Sequence, residues 1–230
     1  MLAEEKIETL VTLLKTIQQE YPVVALASSY GAEDMVLTDL VARQVQEISI
    51  ITLDTGRLPG ETYDLMQKTR ERYGDVVEIY TPETLALQAF VRGQGVNAFY
   101  QSVELRKQCC AVRKLEPLRR ALAGKQAWIT GLRREQSVTR AEMRIKEHDG
   151  LHNIPKFNPL LEWSEQEVWA YIRRFEVPFN PLHEQGYASI GCAPCTRAIT
   201  SGEEVRAGRW WWENPQTKEC GLHVAKPAGE

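Results

Sequence analysis

The chain has 230 residues, of which 43% are apolar and 26% charged, and its 28 basic and 31 acidic side chains leave a net charge of −3. This balance suits a globular protein with one ample core and excludes the basic surplus of a general nucleic-acid binder. No stretch reaches the roughly eighteen continuous apolar residues of a membrane span, and the opening residues alternate Glu and Lys with Leu and Ile, unlike a signal peptide, so a cytoplasmic protein is expected.

Ile7, Leu10, Val11, Leu14 and Ile17 recur at helical spacing, which predicts an amphipathic helix closed by Tyr21-Pro22. The short apolar run Val23 to Ala27 reads as a buried parallel strand, followed at once by the polar loop Ser28 to Asp34. The rhythm repeats: helix Met35 to Val45, strand Ile48 to Leu53, helix Glu61 to Tyr73, strand Val76 to Tyr80. A charge-rich helical middle leads to a further buried strand, Ala127 to Thr130, ending at Gly131. Such alternation implies crossover units and an α/β fold on a parallel sheet.

Beyond Gly150, prolines at 155, 159, 178, 181 and 194 break the chain into short pieces. One helix stands out there, with Ser164 and Glu167 as a capping box and Val168, Ile172 and Phe175 as its apolar stripe. From Gly202 onward the pattern is aperiodic, which divides the chain into a main domain over 1–201 and a mobile C-terminal tail over 202–230.

Ligands of open α/β sheets bind beyond the carboxyl ends of the strands. The loops at Ser28, Asp54 and Gly131 are therefore expected around one crevice. Ser28-Ser29-Tyr30-Gly31-Ala32-Glu33-Asp34 offers hydroxyls and backbone N–H groups at a helix start, where an anion is held well, although a plain Ser/Gly turn with Asp34 as helix cap accounts for it too. It lacks the Gly-Lys-Ser/Thr ending of a Walker A motif. Leu53-Asp54-Thr55-Gly56-Arg57 and Thr130-Gly131-Leu132-Arg133-Arg134 supply the other two loops, the second with adjacent guanidiniums that are either anion ligands or a solvated charge pair.

The five cysteines divide into four and one. Cys109-Cys110 and Cys192-Ala193-Pro194-Cys195 provide the four thiolates that a tetrahedral zinc or a four-iron cluster takes. An adjacent pair departs from zinc-finger spacing and suits a cluster with separate iron corners. Cys220 stands apart in Lys218-Glu219-Cys220-Gly221-Leu222-His223, where nearby positive charge favours the thiolate and hence a nucleophile, against the alternative of an unpaired surface thiol. Lys114 would lie one helical turn beyond Cys110.

Six segments carry a family resemblance: Ser-Tyr-Gly-Ala-Glu-Asp (29–34), Leu-Asp-Thr-Gly-Arg (53–57), Lys-Gln-Cys-Cys (107–110), Gly-Cys-Ala-Pro-Cys-Thr-Arg (191–197), Gly-Arg-Trp-Trp-Trp-Glu (208–213) and Glu-Cys-Gly-Leu-His (219–223). From about Val23 to His223 the chain resembles the bacterial assimilatory adenylylsulfate reductases of the phosphosulfate reductase family. The resemblance implies a Rossmann-like parallel sheet of the adenine nucleotide alpha hydrolase-like kind and adenosine 5'-phosphosulfate (APS) as substrate. It further implies a [4Fe-4S] cluster on Cys109, Cys110, Cys192 and Cys195, and Cys220 as the nucleophile, regenerated by thioredoxin or glutaredoxin. Lys114 and His223 would act beside Cys220. Substrate contacts would come from Ser28, Ser29, Gly31, Asp34, Leu53, Thr55, Gly131, Arg140, Arg206 and Arg209, in a protein with neither nucleic-acid nor membrane partners and open to homo-oligomerisation. The nearest alternative substrate is 3'-phosphoadenosine 5'-phosphosulfate. Reductases for that substrate lack the paired cysteines. An ATP-dependent adenylating or thiolating enzyme of the same fold would carry a Ser-Gly-Gly-x-Asp-Ser loop, and a zinc-binding interaction module would leave Cys220 and His223 unexplained.

Overall fold

The computed structural model describes residues 3–137 and 140–214. Its six strands are β1 (Val24–Ala27), β2 (Ser49–Leu53), β3 (Val77–Tyr80), β4 (Ala127–Ile129), β5 (Lys146–Asp149) and β6 (Ile154–Phe157). They lie in the order β3-β2-β1-β4-β6-β5. All neighbours are parallel except the edge strand β5, which pairs antiparallel with β6. The strand order reverses between β1 and β4, which makes that junction the topological switch point.

The pleat sends alternate residues to opposite layers. Val24, Leu26, Ile50 and Ile129 enter one core with helices α1 (Glu4–Glu20), α2 (Ala32–Gln44) and α7 (Glu165–Arg174). Ala25, Ile51 and Trp128 enter a second core against Leu118, Ala121 and Leu122, at α6 (Glu116–Ala121) and its C-cap. Helix α1 buries Ile7, Leu10, Leu14 and Ile17, four of the five residues of its sequence stripe. In α7 the capping box is present, with Ser164 N donating to Glu167 Oε2 at 2.8 Å and Glu167 N to Ser164 Oγ at 3.3 Å. Its buried stripe is Val168, Tyr171 and Ile172, while Phe175 caps the C-terminus. Helices α3 (Gly60–Tyr73) and α4 (Thr84–Gln94) complete the crossovers.

Two departures from the sequence reading matter for the site. The segment around Gly150 forms the β5–β6 hairpin rather than irregular pieces. Pro155 is tolerated because the β4 ladder engages Lys156 and Phe157 only, so its missing N–H costs no bond there. The charge-rich middle is one helical run interrupted by a π-helical turn, Ala111–Leu115, between α5 (Val103–Cys110) and α6. Pro117 offers the residue-113 carbonyl no N–H and crowds it, which accounts for the widened turn. Among the described residues no helix is long and apolar enough to cross a membrane.

Candidate functional site

The loops after β1, β2 and β4 meet over the switch point around a cleft of about 240 Å³. Ser28, Ser29, Gly31 and Asp34 line it from the first loop, Leu53 and Thr55 from the second, Gly131 from the third. Lys114, Arg140, Arg206 and Arg209 line it as well. The helix begins at Ala32, so Asp34 belongs to the first turn of α2 and is not its cap. Its Oδ2 accepts from both the backbone N and the Oγ of Ser29, each at 2.6 Å. Burial pushes the Asp34 carboxyl up to about 6, against the hydrogen bonds from Ser29 and from the Gly131 backbone. Tyr30 holds φ +61 with its side chain buried, a conformation bulky residues adopt only when the surroundings impose it.

Gly131 is required by contact rather than by backbone angle. A Cβ there would sit 2.3 Å from Asp34 Oδ1 and 3.1 Å from Asp34 N. Gly131→Ala should therefore force the β1 and β4 loops apart, lowering stability by about 1–3 kcal/mol. Denaturant midpoints check this, and an unchanged midpoint would show that the loops need not approach so closely.

The adjacent guanidiniums of the third loop do not line the cleft. Arg133 is buried and donates from Nε to Glu33 Oε1 at 2.7 Å, tying the third loop to the first. Arg134 pairs with Glu162 at 2.5 Å. Both are ion-paired, which neither reading of the sequence foresaw.

A second, small cavity adjoins the cleft and is lined by Cys109, Cys110, Cys192 and Cys195. All four are buried and none is in a disulfide. Cys109 and Cys110 end α5, while Cys192 caps and Cys195 ends a single 3-10 turn, Ala193–Cys195, whose Ala193 N bonds the Arg57 carbonyl at 2.8 Å. Phe99 and Trp210 close the apolar side. Arg57, Arg106, Arg113 and Lys114 supply positive charge. Burial pushes the Cys195 thiol up to about 12, reinforced by Cys192 and opposed by Lys114 and Arg209. Burial likewise raises Cys109, with Arg113 acting against it. Among the described residues, no group of three or more His, Cys, Asp or Glu side chains converges as a single bound ion requires.

The two cavities share a wall. Lys114, Cys192 and Trp210 line both. The π turn carries Arg113 and Lys114, and Arg113 Nη1 bonds the Thr55 carbonyl, joining the β2 loop to the cysteine helix. Thr55 Oγ1 lies 3.3 Å from Cys192 Sγ. Sequence reasoning placed Thr55 in the cleft but missed its contact with a cysteine; it named Arg57 only as part of the second cleft loop and missed Arg113 altogether. Adjacency to Lys114 was the only available signal for Arg113. Cys220, His223 and Lys218 lie outside the described residues.

The comparisons accord with this geometry. Residues 23–198 match the family model described as phosphoadenosine phosphosulfate reductase domain. A relative from Allochromatium vinosum, named adenosine 5'-phosphosulfate reductase, is 58% identical over 93% of this chain and 83% of its own length. The crystal structure of a phosphoadenylyl-sulfate reductase from Candida auris, in a phosphate complex, superposes with TM-score 0.70 at 26% identity, covering 86% of this chain and 98% of that one. A Candida glabrata FMN adenylyltransferase shares the fold alone, with TM-score 0.58 at 14% identity over 87% of this chain and 67% of that one. With a family match spanning most of its length and a relative this similar, the chain belongs to the phosphoadenosine phosphosulfate reductase family.

Proposed function

We propose that the protein reduces adenosine 5'-phosphosulfate to sulfite and AMP, in the cytoplasm, as a step of sulfate assimilation. The observation that carries this is the shared wall: a strand-end cleft fit for a nucleotide abuts a four-cysteine pocket through Lys114, Cys192 and Trp210. The name of the 58% identical relative supports the same substrate.

In this reading the nucleotide occupies the cleft lined by Ser28, Ser29, Gly31, Asp34, Leu53, Thr55 and Gly131, with Arg140, Arg206 and Arg209 around its anionic end. The Cys220 thiolate, carried by the tail that begins at 202, attacks the sulfate sulfur. An S–S bond forms, the bridging S–O bond breaks, and its electron pair leaves with AMP, giving an S-sulfocysteine. Lys114, Arg206 and Arg209, with His223, stabilise the charge that develops on the departing phosphate. A thiolate of a dithiol partner, thioredoxin or glutaredoxin, then attacks Cys220 Sγ and expels sulfite. The partner's second thiol resolves the mixed disulfide, so two electrons come from the partner.

The cysteine pocket fits a [4Fe-4S] cluster. Four unbonded thiols ring one cavity, and a cube gives each a separate iron, so they need not converge on a point. Arg113 Nε and Trp210 Nε1 are buried N–H groups with no acceptor in the structure, and both residues line that cavity. When bound, the cluster would supply inorganic sulfides as acceptors and a fixed negative charge beside the lining cations Arg57, Arg106, Arg113 and Lys114.

A competition assay tests the substrate. kcat/KM should favour APS over 3'-phosphoadenosine 5'-phosphosulfate by about tenfold or more, since the paired cysteines accompany APS use. A preference for the 3'-phosphorylated compound, the substrate in the name of the 26% identical Candida auris enzyme, would establish the alternative reading.

A further inference from the structure

Arg106 lies on α5 three and four residues ahead of Cys109 and Cys110, on the same helical face. Its Nε and Nη2 reach Glu213 Oε1 and Oε2 at 2.9 and 2.8 Å, and the two side chains are only 1% and 3% exposed. A bidentate guanidinium–carboxylate pair fixes orientation as well as distance. The Arg106 guanidinium also sits 4.7 Å from the centroid of the Trp210 ring, and that of Arg209 sits 4.9 Å from it. Trp210 holds φ +41, which a bulky residue keeps only when its neighbours over-determine it. Arg209 in turn bonds the Ile190 carbonyl at 2.9 Å and fills space that a Cβ on Gly191 would occupy, 2.2 Å from its Nη2. The same segment is stitched to the cysteine loop by Trp210 N to the Cys195 carbonyl at 3.2 Å and by the Thr196–Arg209 bridge.

Arg106 lines the cysteine pocket and not the cleft, and Glu213 lines neither. We propose that Arg106 and Glu213 are a positioning pair for sulfur transfer: they fix Trp210, and through it Arg209 over the cleft, and they anchor the root of the segment that carries Cys220. This rests on the reading of Cys220 as the nucleophile. Glu213 is only seven residues ahead of Cys220 in the sequence. Two desolvated charges stabilise a fold poorly compared with packed apolar side chains, so a pair retained at such a place serves orientation.

The test uses the full-length, cluster-loaded protein and the double variant Arg106→Met with Glu213→Leu, which removes both charges and strands neither. Iron content and thermal stability should stay at wild-type levels, as should the alkylation rate of Cys220 by iodoacetamide without nucleotide. Single-turnover formation of the S-sulfo adduct from APS should slow about tenfold or more, as misplaced reacting groups do. Arg106→Lys, which keeps the charge without the fork, should fall between. Wild-type adduct formation in the double variant would overturn the proposal. So would a slowing that merely tracks lost iron, because the pair would then be structural. Wild-type protein that forms no adduct on Cys220 would overturn the underlying reading, and this role for the pair with it.

Discussion

Cys220→Ser should abolish sulfite formation, by about three orders of magnitude or more, while leaving iron, colour and APS binding intact. The four cysteines that line the pocket are Cys109, Cys110, Cys192 and Cys195, so on the proposed reading the fifth can be lost without touching a cluster ligand. A serine hydroxyl presents almost no anion at neutral pH, whereas a cysteine thiol ionises far more readily and its thiolate is the stronger nucleophile. Wild-type protein given APS without a reductant should gain one SO₃ group on the Cys220 peptide, read by mass spectrometry, and reduced thioredoxin should remove it. An adduct on a pocket cysteine, or a variant that still makes sulfite at a comparable rate, would refute the mechanism.

Cys192→Ser should behave in the opposite way, losing iron first and activity as a consequence. Cluster binding would join the C-terminal end of α5 to the 192–195 turn, two segments far apart in the chain, so its binding energy is also folding energy. Loss of about 3 kcal/mol or more is expected, near 10 °C in Tm for a chain of this size. The same substitution also removes the Sγ partner of Thr55 Oγ1. Iron analysis and calorimetry of anaerobically purified protein measure both quantities, and full iron occupancy would take Cys192 out of the ligand set.

The parallel half of the sheet was legible because its strands are short, apolar and bounded by Gly, Pro and polar loops, as Val23 to Ala27 is. The β5–β6 hairpin was not. Lys146–Asp149 is an edge strand of charged residues, and Pro155 in β6 argues locally against a strand, so only the exposed flank of β4 explains both. In the cleft, the strand-end rule located the three loops, since switch-point geometry follows from topology alone. Local sequence could not assign Arg133, because its partner Glu33 is a hundred positions away. Nor could it give the wall shared by the two cavities, where a π turn sets Lys114 beside Cys192 and Trp210 from distant parts of the chain.

That π turn fixes the angular phase between the cysteine pair and everything after it. One residue is worth about 100° around a helix. Shortening 111–115 by a single position while Pro117 keeps the turn wide would swing Lys114 off the partition and turn Leu118 and Ala121 away from Trp128. Side-chain exchange within the turn alters chemistry at one point. A change of length rotates the nucleotide cleft, the cysteine pocket and the second core out of step together, so the five-residue count of this segment is itself a structural element.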